Sequence, residues 1–139
     1  MKFLALVKSS EKYRTEGPPP ALMEAMGKYV QESFASGRVV DTGGLKSSAA
    51  AMRLRVEHGK LTVTDGPFTE AKEVVGGFWL MQAKSKEEVV EWVKRCPATG
   101  SEMIEIRQVF EAEDFGPALT PELREAEERL RKQSGMQGR

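Results

Sequence analysis

Apolar and polar residues follow two different periods along this 139-residue chain, and the switches between them mark out the elements. Met1 to Lys8 is almost continuously apolar, as expected of a strand covered on both faces or central in a sheet. A polar stretch over 9–19 follows and ends stiffly in Pro18-Pro19-Pro20. From Ala21 the period lengthens. Leu22, Met26, Tyr29, Val30 and Phe34 fall on one helical face, and Gly37 supplies the stop. Val39-Val40 opens a short strand that breaks at Gly43-Gly44.

The next segment alternates residue by residue. Met52, Leu54 and Val56 interleave with Arg53, Arg55 and Glu57, which predicts a half-buried strand. After the turn His58-Gly59, Leu61 and Val63 alternate with Thr62 and Thr64, completing a hairpin whose Gly59 can take positive φ. Asp65-Gly66-Pro67-Phe68 ends that ladder. Glu73 to Ala83 reads as a buried strand with Gly76-Gly77 inside it. Ser85 and Glu88 have capping-box spacing ahead of a short helix with apolar Val89, Trp92 and Val93, stopped by Pro97. Glu102 to Phe110 is a last strand.

Residues 111–119 read as a linker, and Thr120-Pro121 starts a terminal helix. Glu125–Arg129, Glu127–Arg131 and Glu128–Lys132 are acid-before-base pairs at helical spacing. Leu123, Ala126 and Leu130 form a seam too narrow for a core helix, which suits a helix lying across its own domain or a partner. Strand, helix, strand, hairpin, strand, helix, strand, helix is the order of an α+β, ferredoxin-like split βαβ sandwich with an inserted β-hairpin. Residues 1–115 form the expected domain and 116–139 its C-terminal helix and tail. With both inner helices on one sheet face, the other face needs cover, which a sheet-to-sheet homodimer provides.

Composition narrows the function classes. Twenty-one basic residues balance twenty-one acidic ones, so there is no electrostatic footprint for nucleic acid or for anionic lipid. The apolar run Phe3 to Val7 is too short for a signal-peptide core or a membrane span, so a cytoplasmic protein is expected. Cys96 is the only cysteine, which excludes an internal disulfide and argues against a thiolate metal site. No metal-ligand cluster, phosphate loop or cofactor motif is present in the sequence, so no cofactor is expected.

Val63-Thr64-Asp65-Gly66-Pro67-Phe68-Thr69-Glu70-Ala71-Lys72-Glu73, followed by Gly76-Gly77-Phe78-Trp79-Leu80, resembles the hallmark of the DGPF or YCII-related family. Glu91 to Pro97 is similar to that family's second-helix ending, and Glu105 to Phe110 to its last strand. The resemblance implies a dimeric α/β-barrel assembly with no agreed activity. Some relatives stand beside or fused to extracytoplasmic sigma factors. Distant relatives include a dehalogenating, lyase-like enzyme that uses a histidine–aspartate pair. This chain departs from that pattern: its only histidine, His58, sits in the predicted hairpin turn, and Lys46 stands where close relatives often carry a histidine.

Asp65 is the first catalytic candidate, either a carboxylate presented at a strand end as base or the shaper of an Asx-type turn. Glu73 is the second, able to approach Asp65 or simply to lie on a solvated loop with Glu70 and Lys72. Arg53, Arg55 and Lys46 are candidates to hold a carboxylate or phosphate, with plain solvent exposure as the alternative. Phe68 walls a pocket or joins the core, and Gly76-Gly77 lets a ligand approach or lets backbone pack closely. Two functions fit equally: a lyase- or hydrolase-like acid–base enzyme on an oxo or hydroxy acid, and a non-catalytic dimeric ligand-binding module. Association with a sigma factor through the terminal helix ranks below both.

Overall fold

A computed structural model of the chain describes residues 1–9, 17–68, 72–97 and 103–135. Thr69, Glu70, Ala71 and Glu102 therefore lie outside the described residues. The elements run β1 (Lys2–Ser9), α1 (Pro20–Ala35), β2 (Val39–Gly44), β3 (Met52–Glu57), β4 (Lys60–Asp65), β5 (Val74–Gln82), α2 (Lys86–Val93), β6 (Met103–Gln108) and α3 (Pro121–Gln133). Short 3₁₀ turns occupy Ser48–Ala50 and Ala112–Ala118.

The main sheet has the order β2-β5-β1-β6, with every neighbouring pair antiparallel. β1 and β2 flank β5, and β5 and β6 flank β1, so two split βαβ units interleave as a ferredoxin-like sheet. Local signals placed most element ends. Ser85 Oγ accepts the Glu88 N–H at 3.3 Å, Thr120 Oγ1 accepts the Leu123 N–H, and Gly37 ends α1 at φ 72°. The segment expected to be a linker winds into the second 3₁₀ turn, where Phe110 and Phe115 pack ring to ring at 5.2 Å.

Register sorts the sheet into two faces. The rows Phe3–Met81–Val39 and Ala5–Trp79–Thr42 face the helices and carry the core. Tyr29 of α1 and Trp92 of α2 close over Trp79 with ring centroids 5.7 and 5.1 Å away. The Tyr29 hydroxyl donates to the Trp92 carbonyl at 2.8 Å, and the Trp92 indole N–H donates to Ser33 Oγ at 2.8 Å. These bonds satisfy polar groups that would otherwise be costly to bury. On the opposite face Leu4, Leu6, Phe78 and Leu80 are only half-buried.

The hairpin departs from expectation in burial, not in pairing. β3 and β4 pair as predicted, with His58 (φ 50°) and Gly59 (φ 75°) in the turn. Yet Met52, Leu54, Val56, Leu61 and Val63 are all 54–69% exposed. Alternation created an apolar face, but the ladder stands away from the sheet and nothing among the described residues covers it. Leu123 and Leu130 on α3 are likewise exposed, at 54% and 64%. No helix among the described residues is long and apolar enough to cross a membrane.

Candidate functional site

A cleft of about 500 Å³ opens where the hairpin joins the sheet edge. One wall begins at the end of β2. The Leu45 N–H donates to the Gly76 carbonyl at 2.9 Å, which holds the strand end as it turns into Lys46 and Ser47. The 3₁₀ turn closes through Ala50 N–H to Ser47 C=O and Ala51 N–H to Ser48 C=O, at 3.1 and 3.0 Å.

The chain returns over that turn after β4. The Gly66 N–H donates to the Ala51 carbonyl at 2.8 Å, and the Gly66–Pro67 bond is cis. Gly66 passes so near Ser48 that a Cβ there would lie 1.7 Å from the Ser48 carbonyl oxygen. Two residues on, the Phe68 N–H donates to Ser48 Oγ at 3.2 Å, and its ring is buried. The Arg53 guanidinium lies over that ring, 3.8 Å from its centroid, so charge and aromatic face are held together as one wall.

The cleft thus gathers four residues singled out by sequence: Lys46, Arg53, Phe68 and Glu73. Two cationic side chains and one carboxylate are among its described lining residues. Glu73 is exposed just ahead of β5, with its Oε2 3.9 Å from Lys8 Nζ. Lys8 is itself bonded at 2.6 Å to Glu105. That hydrogen bond, with the attraction of Glu105 and Glu73, raises the Lys8 pKa, and the same bond lowers that of Glu105.

The other candidates fall elsewhere. Asp65 is exposed at the end of β4, opposite Met52 and outside the residues lining the cleft. Glu73's ion-pair partner among the described residues is Lys8, not a second carboxylate. Arg55 lies 3.6 Å from Glu57 on the hairpin and also stands outside the lining. Gly76 and Gly77 are buried and line a different cavity, between α1 and the sheet. His58 is exposed in the turn. Among the described residues no three His, Cys, Asp or Glu side chains are grouped to hold a metal ion.

Ser48 is the residue that sequence reasoning missed. It is 8% exposed; Gly66 packs closely against its carbonyl, and its hydroxyl accepts the Phe68 N–H. No local sequence signal pointed to it, because Gly66-Pro67 reads only as turn chemistry and says nothing of what the turn packs against.

The family model of the YCII-related domain matches residues 1–113. An uncharacterized protein of Rhizobium meliloti is 35% identical over 78 residues, which is 53% of this chain. The matched region spans 60% of that relative's length. Among solved structures, the chain is similar to a 5-chloro-2-hydroxyhydroquinone dehydrochlorinase from Burkholderia phenoliruptrix in complex with 2,5-dihydroxybenzoquinone. That likeness has a TM-score of 0.48 and 20% identity, covering 80% of this chain and 95% of the other.

Proposed function

The chain belongs to the YCII-related domain family, and on that premise we propose that it binds a small oxo or hydroxy acid in the cleft beneath the hairpin and performs lyase- or hydrolase-like acid–base chemistry on it. The observation that carries this reading is the convergence of Lys46, Arg53, Phe68 and Glu73 on one cleft of about 500 Å³. A volume in that range suits a small metabolite.

Each residue then has a role. Arg53 and Lys46 hold the acid group, and the Phe68 ring packs against the flat part of the guest. Glu73, in place of Asp65, is the group that takes a proton from the carbon beside the carbonyl. The electrons of that C–H bond pass to the carbonyl oxygen as an enolate, which Lys46 or Arg53 stabilises. Collapse of the enolate expels a leaving group from the adjacent carbon. Lys8 positions the Glu73 carboxylate from 3.9 Å.

The test is calorimetric titration of a panel of oxo and hydroxy acids, followed by product analysis. Lys46→Ala and Arg53→Gln each weaken binding about tenfold or more, equivalent to about 1.4 kcal/mol. Glu73→Gln preserves binding and abolishes turnover. Binding that ignores both cation variants overturns the reading.

A second reading, a non-catalytic binding module, is favoured by the position of Asp65 outside the cleft, which leaves Glu73 as the single carboxylate among its described lining residues. It predicts saturable binding, no product, and no effect of Glu73→Gln beyond affinity. In either case we propose that the active form is a homodimer. The half-buried face of Leu4, Leu6, Phe78 and Leu80 supports this, since burying it against a second copy removes apolar surface from water.

A further inference from the structure

On the helix side of the sheet lies a second cavity, of about 530 Å³. Its origin is visible in the strand register. The two rows nearest the core are filled by Phe3, Met81 and Val39, then by Ala5, Trp79 and Thr42. The next row is Val7–Gly77–Gly44, with one side chain across three strands. α1 spans this row with Leu22, Met26 and Val30, so among the described residues open space remains between helix and bare backbone.

The floor is bare backbone. A Cβ on Gly77 would approach the Gly43 carbonyl oxygen to 3.0 Å, tighter than most real contacts, so a side chain there would require β2 to shift by a few tenths of an ångström. Protein interiors are otherwise packed to crystal density, with few voids larger than a water molecule. A cavity this large is in the range of small-molecule sites.

We infer that this cavity is a second ligand site, for an uncharged, apolar, ring-bearing molecule. None of its described lining residues is Asp, Glu, Lys or Arg, and a charged guest would lose its hydration without a partner. Trp79, Ile104 and Val7 offer apolar contact, while Met23 and Met26 supply the soft, adaptable side chains that fit aromatic rings. Thr42 is the one hydroxyl in the described lining. Its proton goes to the Phe78 carbonyl at 2.8 Å, so what remains for a guest is an acceptor. The favoured ligand therefore carries at most a hydroxyl or N–H donor on an otherwise apolar ring system. This chemistry is opposite to that of the Lys46–Arg53 cleft, and the inference does not depend on that cleft's function.

The test uses the full chain and the neutral naphthalene dye prodan, read by its blue shift and by quenching of tryptophan emission. Saturable binding of one dye per chain is expected, with the anionic dye anilinonaphthalene sulfonate bound at least about tenfold more weakly. Met26→Trp fills the void and reduces prodan affinity about tenfold or more. Because that variant alters a packed helix, Met23→Glu serves as the second: Met23 is 58% exposed at the cavity lip, and a carboxylate there lowers affinity several-fold without disturbing the fold. Equal binding of both dyes, no saturation, or affinity untouched by both variants overturns the inference. So does binding that follows protein concentration, which would assign the cavity to a side chain of a second copy.

Discussion

Gly66→Ala tests the closest approach in the candidate site. The added methyl would stand 1.7 Å from the Ser48 carbonyl oxygen, 2.7 Å from its carbon and 3.3 Å from the Ala51 carbonyl oxygen. All three atoms are backbone, so no side-chain rotation relieves the overlap. Restoring ordinary contact moves the strands apart by roughly 1.5 Å. That displacement acts on the Gly66 N–H to Ala51 bond of 2.8 Å, the Ala51 N–H to Ser48 bond of 3.0 Å and the Phe68 N–H to Ser48 Oγ bond of 3.2 Å. Overpacking costs about 1–3 kcal/mol, and each weakened hydrogen bond up to about 1 kcal/mol. The expected loss is about 3–5 kcal/mol. In urea that lowers the midpoint by about 2 M. Protein concentration is held fixed, because association would shift the transition. Gly27→Ala is the control. Nothing lies within 4 Å of its missing Cβ on α1, so removing helix-interior glycine raises stability by about 0.5–1 kcal/mol. A Gly66→Ala loss below about 1 kcal/mol, with Gly27→Ala behaving as expected, would refute the clamp between the returning segment and Ser48.

Three further outcomes follow from the packing and the charges. Burial raises the Tyr29 phenol pKa far above its ordinary value, so its contribution to stability is full below the unfolded phenol's pKa near 10 and declines as pH rises above it. Urea midpoints measured from neutral to alkaline pH decline less steeply in Tyr29→Phe; identical slopes would remove Tyr29 from the linkage. The Lys8 hydrogen bond holds the Glu105 carboxyl below the usual carboxylate range, so its contribution is present above that range and disappears as pH falls through the folded pKa. Carboxyl NMR places Glu105 below 4.5 at low salt, and Lys8→Met returns it upward; an unmoved resonance contradicts the pair. Leu54→Ser and Val63→Ser alter unfolding of the dilute chain by no more than about 0.5 kcal/mol, since their face is uncovered in the single chain; a larger loss at dilution means the hairpin packs on the body.

The local grammar of the chain was readable. Ser85 and Glu88 marked a helix start, Gly37 a helix end, and His58-Gly59 a hairpin turn, because caps and turns depend on residues a few positions apart. The order of those elements was enough to give the interleaved βαβ sheet. The DGPF motif was likewise legible as a turn; its Phe68 lines the cleft and its Gly66 packs closely against Ser48. The sequence could not say where Asp65 lies relative to the cleft; it is exposed at the end of β4 and is not among the described lining residues. Ser48 had no local signature, because its partners lie about twenty residues away and only chain reversal brings them to it.

Sequence by itself therefore determined the elements, their order and the split of polar from apolar faces. It also marked Asp65-Gly66-Pro67-Phe68 as the break that ends the hairpin ladder. Tertiary structure decided what each face meets. It buries apolar Phe3 and Ala5 under two helices, whereas apolar Leu54 and Val63 stay in water. It placed Lys46 with Arg53 and Glu73, and it set Gly44 beside Gly77 to open a cavity that neither glycine pair reveals alone. The physical reason is that periodicity encodes the direction of a side chain relative to its own strand or helix, whereas burial and encounter depend on the path of distant segments.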